Sequence, residues 1–191
     1  MNKSKFVALV FGLAISGQAL AEGGSFYLGA LGGTARANES ICGDPASGIS
    51  CDRTGKGAWG GFMGVMVNPH FGVEVGGKSL ETIVELTDAS GQSDSAKTRL
   101  AELNVIAAVP VQSLSFYVKG GGYYAKSTRY GTLAPGHSYN AQWTFGAGAS
   151  FDVFKHAGLR AEYQRYNNVG GKEVGFRADV DVYTMGVYLK F

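Results

Sequence analysis

From about residue 25 to the end, apolar and polar side chains alternate in stretches of roughly ten residues, separated by polar or glycine-containing breaks. The last stretch shows it best. Tyr183, Met185, Val187, Leu189 and Phe191 fall on one face, and Thr184, Gly186, Tyr188 and Lys190 on the other. A period of two is the signature of a β-strand. The pattern predicts eight strands, at 25–35, 56–67, 70–86, 97–111, 113–127, 139–153, 158–166 and 178–191. The apolar faces include Phe26, Leu28 and Ala30, then Phe71, Val73 and Val75, then Leu103, Val105 and Val109, then Trp143, Phe145 and Phe151. The opposite faces carry Glu74 and Lys78, Glu102 and Asn104, Lys119, and Arg160, Glu162 and Gln164, mixed with glycines.

Mid-strand charges suit the wet face of a soluble sheet, but short and long connections in alternation favour a closed, even-numbered barrel. Residues 68–69, 110–113 and 155–157 form the short turns, and 36–55, 87–96, 128–138 and 167–177 the long loops. The expectation is an all-β, eight-stranded antiparallel up-and-down transmembrane β-barrel with its apolar rows toward lipid. Phe26, Tyr27, Phe71, Phe116, Tyr117, Phe151, Tyr183 and Phe191 are expected to form aromatic girdles at the membrane interfaces.

Composition sharpens this picture. Glycine numbers 30 of 191 residues, about twice the usual share of roughly 7%; on the inward faces it makes room for large charged side chains in a narrow tube. A mean hydropathy of +0.00 excludes a bundle of membrane-spanning helices and fits the average of a lipid-facing and a lumen-facing row. The segment before the first strand has a separate purpose. Lys3 and Lys5, the apolar run 6–15 and Ala19-Leu20-Ala21 form a secretory signal over residues 1–21, leaving 22–191 as the barrel. Removing its two lysines takes 17 Lys and Arg to 15, against 15 Asp and Glu, so the mature chain is neutral and nucleic acid is not an indicated partner. On an exported chain, Cys42 and Cys51 predict a disulfide closing the first long loop; a metal pair would lack further ligands nearby.

Catalysis is not expected. His70 and His156 fall in short turns and His137 in a long loop, away from a serine and an acid, so a lipid-modifying enzyme is a remote alternative. No cofactor or metal is indicated. The glycine run 120–122 lacks the strand-to-helix setting and the lysine of a phosphate loop.

Three motifs carry a family resemblance. Phe26-Tyr27-Leu28-Gly29-Ala30, the turn running from Val67-Asn68-Pro69 through Glu74-Val75-Gly76, and Arg160-Ala161-Glu162-Tyr163-Gln164 with Asn167-Asn168-Val169-Gly170 resemble the transmembrane β-barrel domain of the OmpA family of Gram-negative outer membranes. The resemblance covers essentially the whole chain after the signal. It implies a multi-pass outer-membrane location with both termini periplasmic, surrounded by outer-membrane lipid and lipopolysaccharide. It makes Phe191 the signal read by the outer-membrane assembly machinery. It also implies a lumen charge network at Glu74, Lys119, Arg160 and Glu162, proposed in the family to act as a gate. Two members of that network are replaced by Ile106 and Ser150, so any gate is expected to be depleted. With nothing after Phe191, peptidoglycan anchoring is not carried over.

The expected function is that of a monomeric surface protein contributing to envelope integrity and binding host surface or matrix protein through its loops. Arg129, Tyr130, His137, Lys172, Phe176 and Arg177 are the loop-binding candidates. A narrow low-conductance pore is the alternative. Because unpaired buried charge is costly, the lumen residues are expected to pair, with Arg160 bridging Glu74 and Glu162.

Overall fold

The computed structural model describes residues 24–38, 50–52, 56–81, 85–87, 93–130, 136–171 and 176–191. Ten strands follow in chain order: β1 (Ser25–Ala37), β2 (Ser50–Asp52), β3 (Lys56–Met66), β4 (Phe71–Leu80), β5 (Glu85–Thr87), β6 (Ser93–Val111), β7 (Leu114–Tyr130), β8 (Gly136–Phe154), β9 (Ala157–Gly171) and β10 (Phe176–Lys190). The eight long strands pair antiparallel in the order β6-β4-β3-β1-β10-β9-β8-β7, and a β6–β7 ladder closes the ring. Closure leaves no long strand with an unpaired edge, the condition for crossing lipid with strands. The short β2 and β5 extend the ladder from the far end of β6.

Alternation sets which side chains enter the lumen. Along β9, Leu159 faces out while Arg160, Glu162, Gln164 and Tyr166 are buried inside. The outward rows predicted from sequence are exposed as expected for a lipid-facing belt, among them Phe71, Leu103, Val105, Trp143, Phe145 and Val187. Tyr27 and Tyr117 correct the expected girdles. Both point inward and are buried, because each follows an outward phenylalanine by one position and the period of two puts neighbours on opposite faces.

At one end the strands are joined by tight turns. In the first, Asn68 Oδ1 accepts from the backbone N–H groups of His70 and Phe71 at 2.8 Å, a side-chain-closed turn. Both ends of the described chain lie here too, with the Phe191 N–H donating to the Phe26 carbonyl at 2.8 Å. At the opposite end the ladders run farther than the periodicity indicates. β7 and β8 pair out to Arg129 and Gly136, β9 reaches Gly171, and β6 begins at Ser93, so much of three expected long loops is strand. Conversely, β4 stops at Leu80 rather than near residue 86. His137 accordingly sits on β8 rather than in a loop.

Glycine is distributed across the ladder with a simple geometric rule. Among the described residues, each of the six buried charged residues has a glycine as a direct cross-strand partner: Glu74 with Gly64, Lys78 with Gly60, Glu102 with Gly76, Lys119 with Gly146, Arg160 with Gly186 and Glu162 with Gly148. Four inward aromatic rings near the short-turn end follow the same rule, whereas Tyr123 and Tyr166 do not. Tyr27 lies over Gly64, Phe62 over Gly29, Tyr117 over Gly148 and Tyr188 over Gly158. A Cβ at Gly64 would stand 2.5 Å from the Tyr27 ring, and one at Gly148 would stand 2.5 Å from the Tyr117 ring. The missing side chains are the space that the large ones occupy.

Candidate functional site

The lumen has three levels. At the short-turn end a cavity of about 320 Å³ is lined by Ser25, Gln112, Ser150, Tyr188 and Lys190 and ends on Tyr27, Tyr117 and Arg160. In the middle lie the charged side chains. Beyond them, toward the long-loop end, Leu80, Leu100, Tyr123, Val169, Val180 and Val182 pack into an apolar layer with almost no exposed surface.

The middle level starts from Arg160. Its Nη1 donates to Glu74 Oε2 at 2.6 Å, its Nη2 to Glu162 Oε2 at 2.6 Å, and its Nε to the Tyr117 hydroxyl at 2.5 Å. Phe62 and Tyr117 place their rings 4.3 and 4.5 Å from the guanidinium carbon, so the cation is sandwiched as well as paired. Lys119 stands 3.2 Å from Glu74 and 2.8 Å from Glu162. Tyr27 and Tyr117 donate to Glu74 and Glu162 at 3.1 and 3.0 Å.

Two further charges join these four. Lys78 approaches Glu162 at 3.0 Å, Glu102 at 3.4 Å and the Tyr166 hydroxyl at 3.0 Å. Glu102 receives hydrogen bonds from Tyr166 at 2.5 Å and Gln164 at 2.8 Å, and lies 3.5 Å from Lys119. Parity along β4 and β6 puts both on the inward face, but the family resemblance does not extend to them. The cluster is thus larger than the four residues that the resemblance carries over. Three cations face three carboxylates, a neutral cluster in which each carboxylate meets at least two cations. Ile106 is buried across the ladder from Lys119, and Ser150 lies across from Arg160 and lines the cavity below it.

Such a cluster suits a narrow tube, because removing ions from water costs several kcal/mol each and is offset only when every charge is paired and hydrogen-bonded. Every charge in it already meets at least one opposite charge. The apolar layer beyond it differs in chemistry, being built from buried aliphatic and aromatic side chains.

The long-loop end carries the other candidates. His137 on β8 and Arg177 on β10 are exposed there. Arg129 and Tyr130 end β7, and Phe176 begins β10. Lys172 and Cys42 lie outside the described residues; Cys51 lies in β2, across from Leu86. At the other end, His70 and His156 have their Nδ1 atoms 3.2 and 3.1 Å from the Ala108 and Lys190 carbonyls. Phe191 packs near Phe26, with the rings tilted and their centres 6.1 Å apart.

Comparison with known proteins agrees with this geometry. The profile of the OmpA-like transmembrane domain family matches residues 21–191. Outer membrane protein A of Yersinia pseudotuberculosis serotype I (strain IP32953) is 29% identical over an alignment that covers 73% of this chain and 40% of the relative, so the chain spans less than half of that relative's length. Among solved structures, Neisserial surface protein A superposes with a TM-score of 0.62 at 15% identity, covering 89% of this chain and all of that one. Ail, the attachment invasion locus protein of Yersinia pestis, gives 0.57 at 14% identity, covering 90% of this chain and all of its own.

Proposed function

This chain belongs to the OmpA-like transmembrane domain family of outer-membrane barrels, and from that premise we propose that it is a surface protein which supports envelope integrity and binds through its loop-bearing end rather than conducting through its lumen. One observation carries the reading. The neutral six-charge cluster and the apolar layer above it are almost wholly buried inside the barrel, and the cavity from the short-turn end is lined at its inner limit by Arg160. In this reading residues 1–21 are removed on export, the short turns and both termini face the periplasm, Phe191 is read by the assembly machinery, and the barrel works as a monomer. Cys42 and Cys51 brace the first loop in the oxidising space outside. That a barrel of this fold carries attachment in its name makes host surface or matrix protein a reasonable partner class.

The test is adhesion of cells displaying the full chain to immobilised matrix protein. Removing residues 40–53, or replacing Arg129, His137 and Arg177 by alanine, is expected to lower adhesion severalfold at equal surface level, since a few residues dominate most interfaces. Unchanged adhesion in both variants rejects the loop-binding reading.

A further inference from the structure

Outside the lumen, one part of the lipid-facing surface is not explained by barrel packing. Arg99 on β6 and Lys126 on β7 are direct cross-strand partners, both outward and exposed. Like charges placed opposite one another destabilise a ladder. Lys97, one row farther out, has Glu81 at 3.5 Å, but among the described residues Arg99 and Lys126 have no carboxylate of their own. Lys126 is instead held over the Tyr139 ring, 5.6 Å from its centre, and Tyr139 stacks on Tyr124.

The rows beneath this pair, toward the short-turn end, are membrane surface. Ala101 and Tyr124 come first, then Leu103, Gly122 and Trp143, then Val105, Gly120 and Phe145. Gly120 and Gly122 face outward, and a Cβ there would find its nearest neighbour only at 3.9 and 3.8 Å, unlike the crowded lumen glycines. Nothing in the barrel requires them to be glycine. They leave a shallow trough walled by Leu103 and Val105 on one side and the stacked Trp143 and Phe145 on the other, leading up to the two cations.

We propose that Arg99 and Lys126 bind the phosphate of an outer-leaflet glycolipid of the lipid A class, with one of its acyl chains lying in the Gly120–Gly122 trough. Two facing cations at the edge of the apolar belt, with no carboxylate partner among the described residues, carry this assignment. A phosphate between them converts a repulsive pair into two charge-assisted contacts, and a guanidinium suits bidentate phosphate binding. The inference rests on the proposed orientation, with the loop-bearing end in the outer leaflet.

The Trp59→Phe variant leaves Trp143 as the single tryptophan and as a reporter beside the trough. Refolded full chain in neutral micelles is titrated with lipid A, with the same lipid stripped of its phosphates, and with inorganic phosphate, following Trp143 emission. Lipid A is expected to give a saturable change. Adding Arg99→Ser and Lys126→Ser should weaken it roughly thirtyfold, about fivefold for each cation at an anionic lipid surface; R99K/K126R should retain it. The dephosphorylated lipid should bind as weakly as the serine variant, and inorganic phosphate alone should produce no change. Equal affinity of the serine variant, equal affinity for the dephosphorylated lipid, or saturation by inorganic phosphate overturns the proposal. Loss of adhesion in the loop variants leaves these titrations unaffected, and failure here leaves the adhesion result standing.

Discussion

Replacing Arg160 by leucine lowers the stability of the folded barrel by about 3–5 kcal/mol, the usual cost of removing one partner from a buried ion pair. Arg160, together with Lys119, joins Glu74 to Glu162, and it alone is flanked by the Phe62 and Tyr117 rings. Without it, three buried carboxylates share two lysines. Urea titration of the refolded protein, read by the heat-modifiable mobility of the folded form on gels, should show the midpoint falling well below that of the parent. Adding Glu74→Gln returns the cluster to neutrality and should recover part of the loss. A midpoint unchanged by Arg160→Leu means that the six charges do not hold the barrel together.

A second large effect is expected at Gly148. Valine there brings a Cβ to within 2.5 Å of the Tyr117 ring and 2.6 Å of the Ala161 carbonyl, with backbone on one side and a buried ring on the other. The ring is tethered, because its hydroxyl joins Arg160 to Glu162, and moving it breaks those bonds. Overpacking of this kind costs about 1–3 kcal/mol or more, and here displacement of Tyr117 also loosens the charge cluster. Gly148→Val should therefore yield little heat-resistant folded barrel. Gly32→Val, at an outward position with nothing within 4 Å of the new Cβ, should fold like the parent. Equal folding yields for the two variants contradict the idea that inward glycines are seats for large neighbours.

Much of this architecture is legible in the sequence. Period-two alternation places Arg160, Glu162 and Lys119 inside and Leu103, Val105 and Val187 outside, because in a barrel wall the two faces meet different solvents. It falters where that contrast disappears. Along 93–98, 127–129 and 136–138 the sequence is mostly polar, so the apolar rhythm vanishes while the backbone pairing continues, and the ladders outrun the predicted strands. Tyr27 and Tyr117 mislead for a different reason. Tyrosine is common at membrane interfaces, but here its hydroxyl serves as a lumen donor to a carboxylate, and only strict parity with Phe26 and Phe116 reveals that. Lys78 and Glu102 are visible to parity as well. Their place in the cluster depends on distances across the lumen, from β4 to β9 and from β6 to β9, which no local pattern encodes.

Planar-bilayer recording of the purified, refolded protein tests the sealed lumen most directly. A barrel closed by a neutral six-charge cluster and an apolar layer should leave the bilayer silent, or give rare events that represent a small fraction of the inserted molecules. Robust, reproducible channels carried by most molecules in the sample would contradict the account and return the narrow-pore reading to first place.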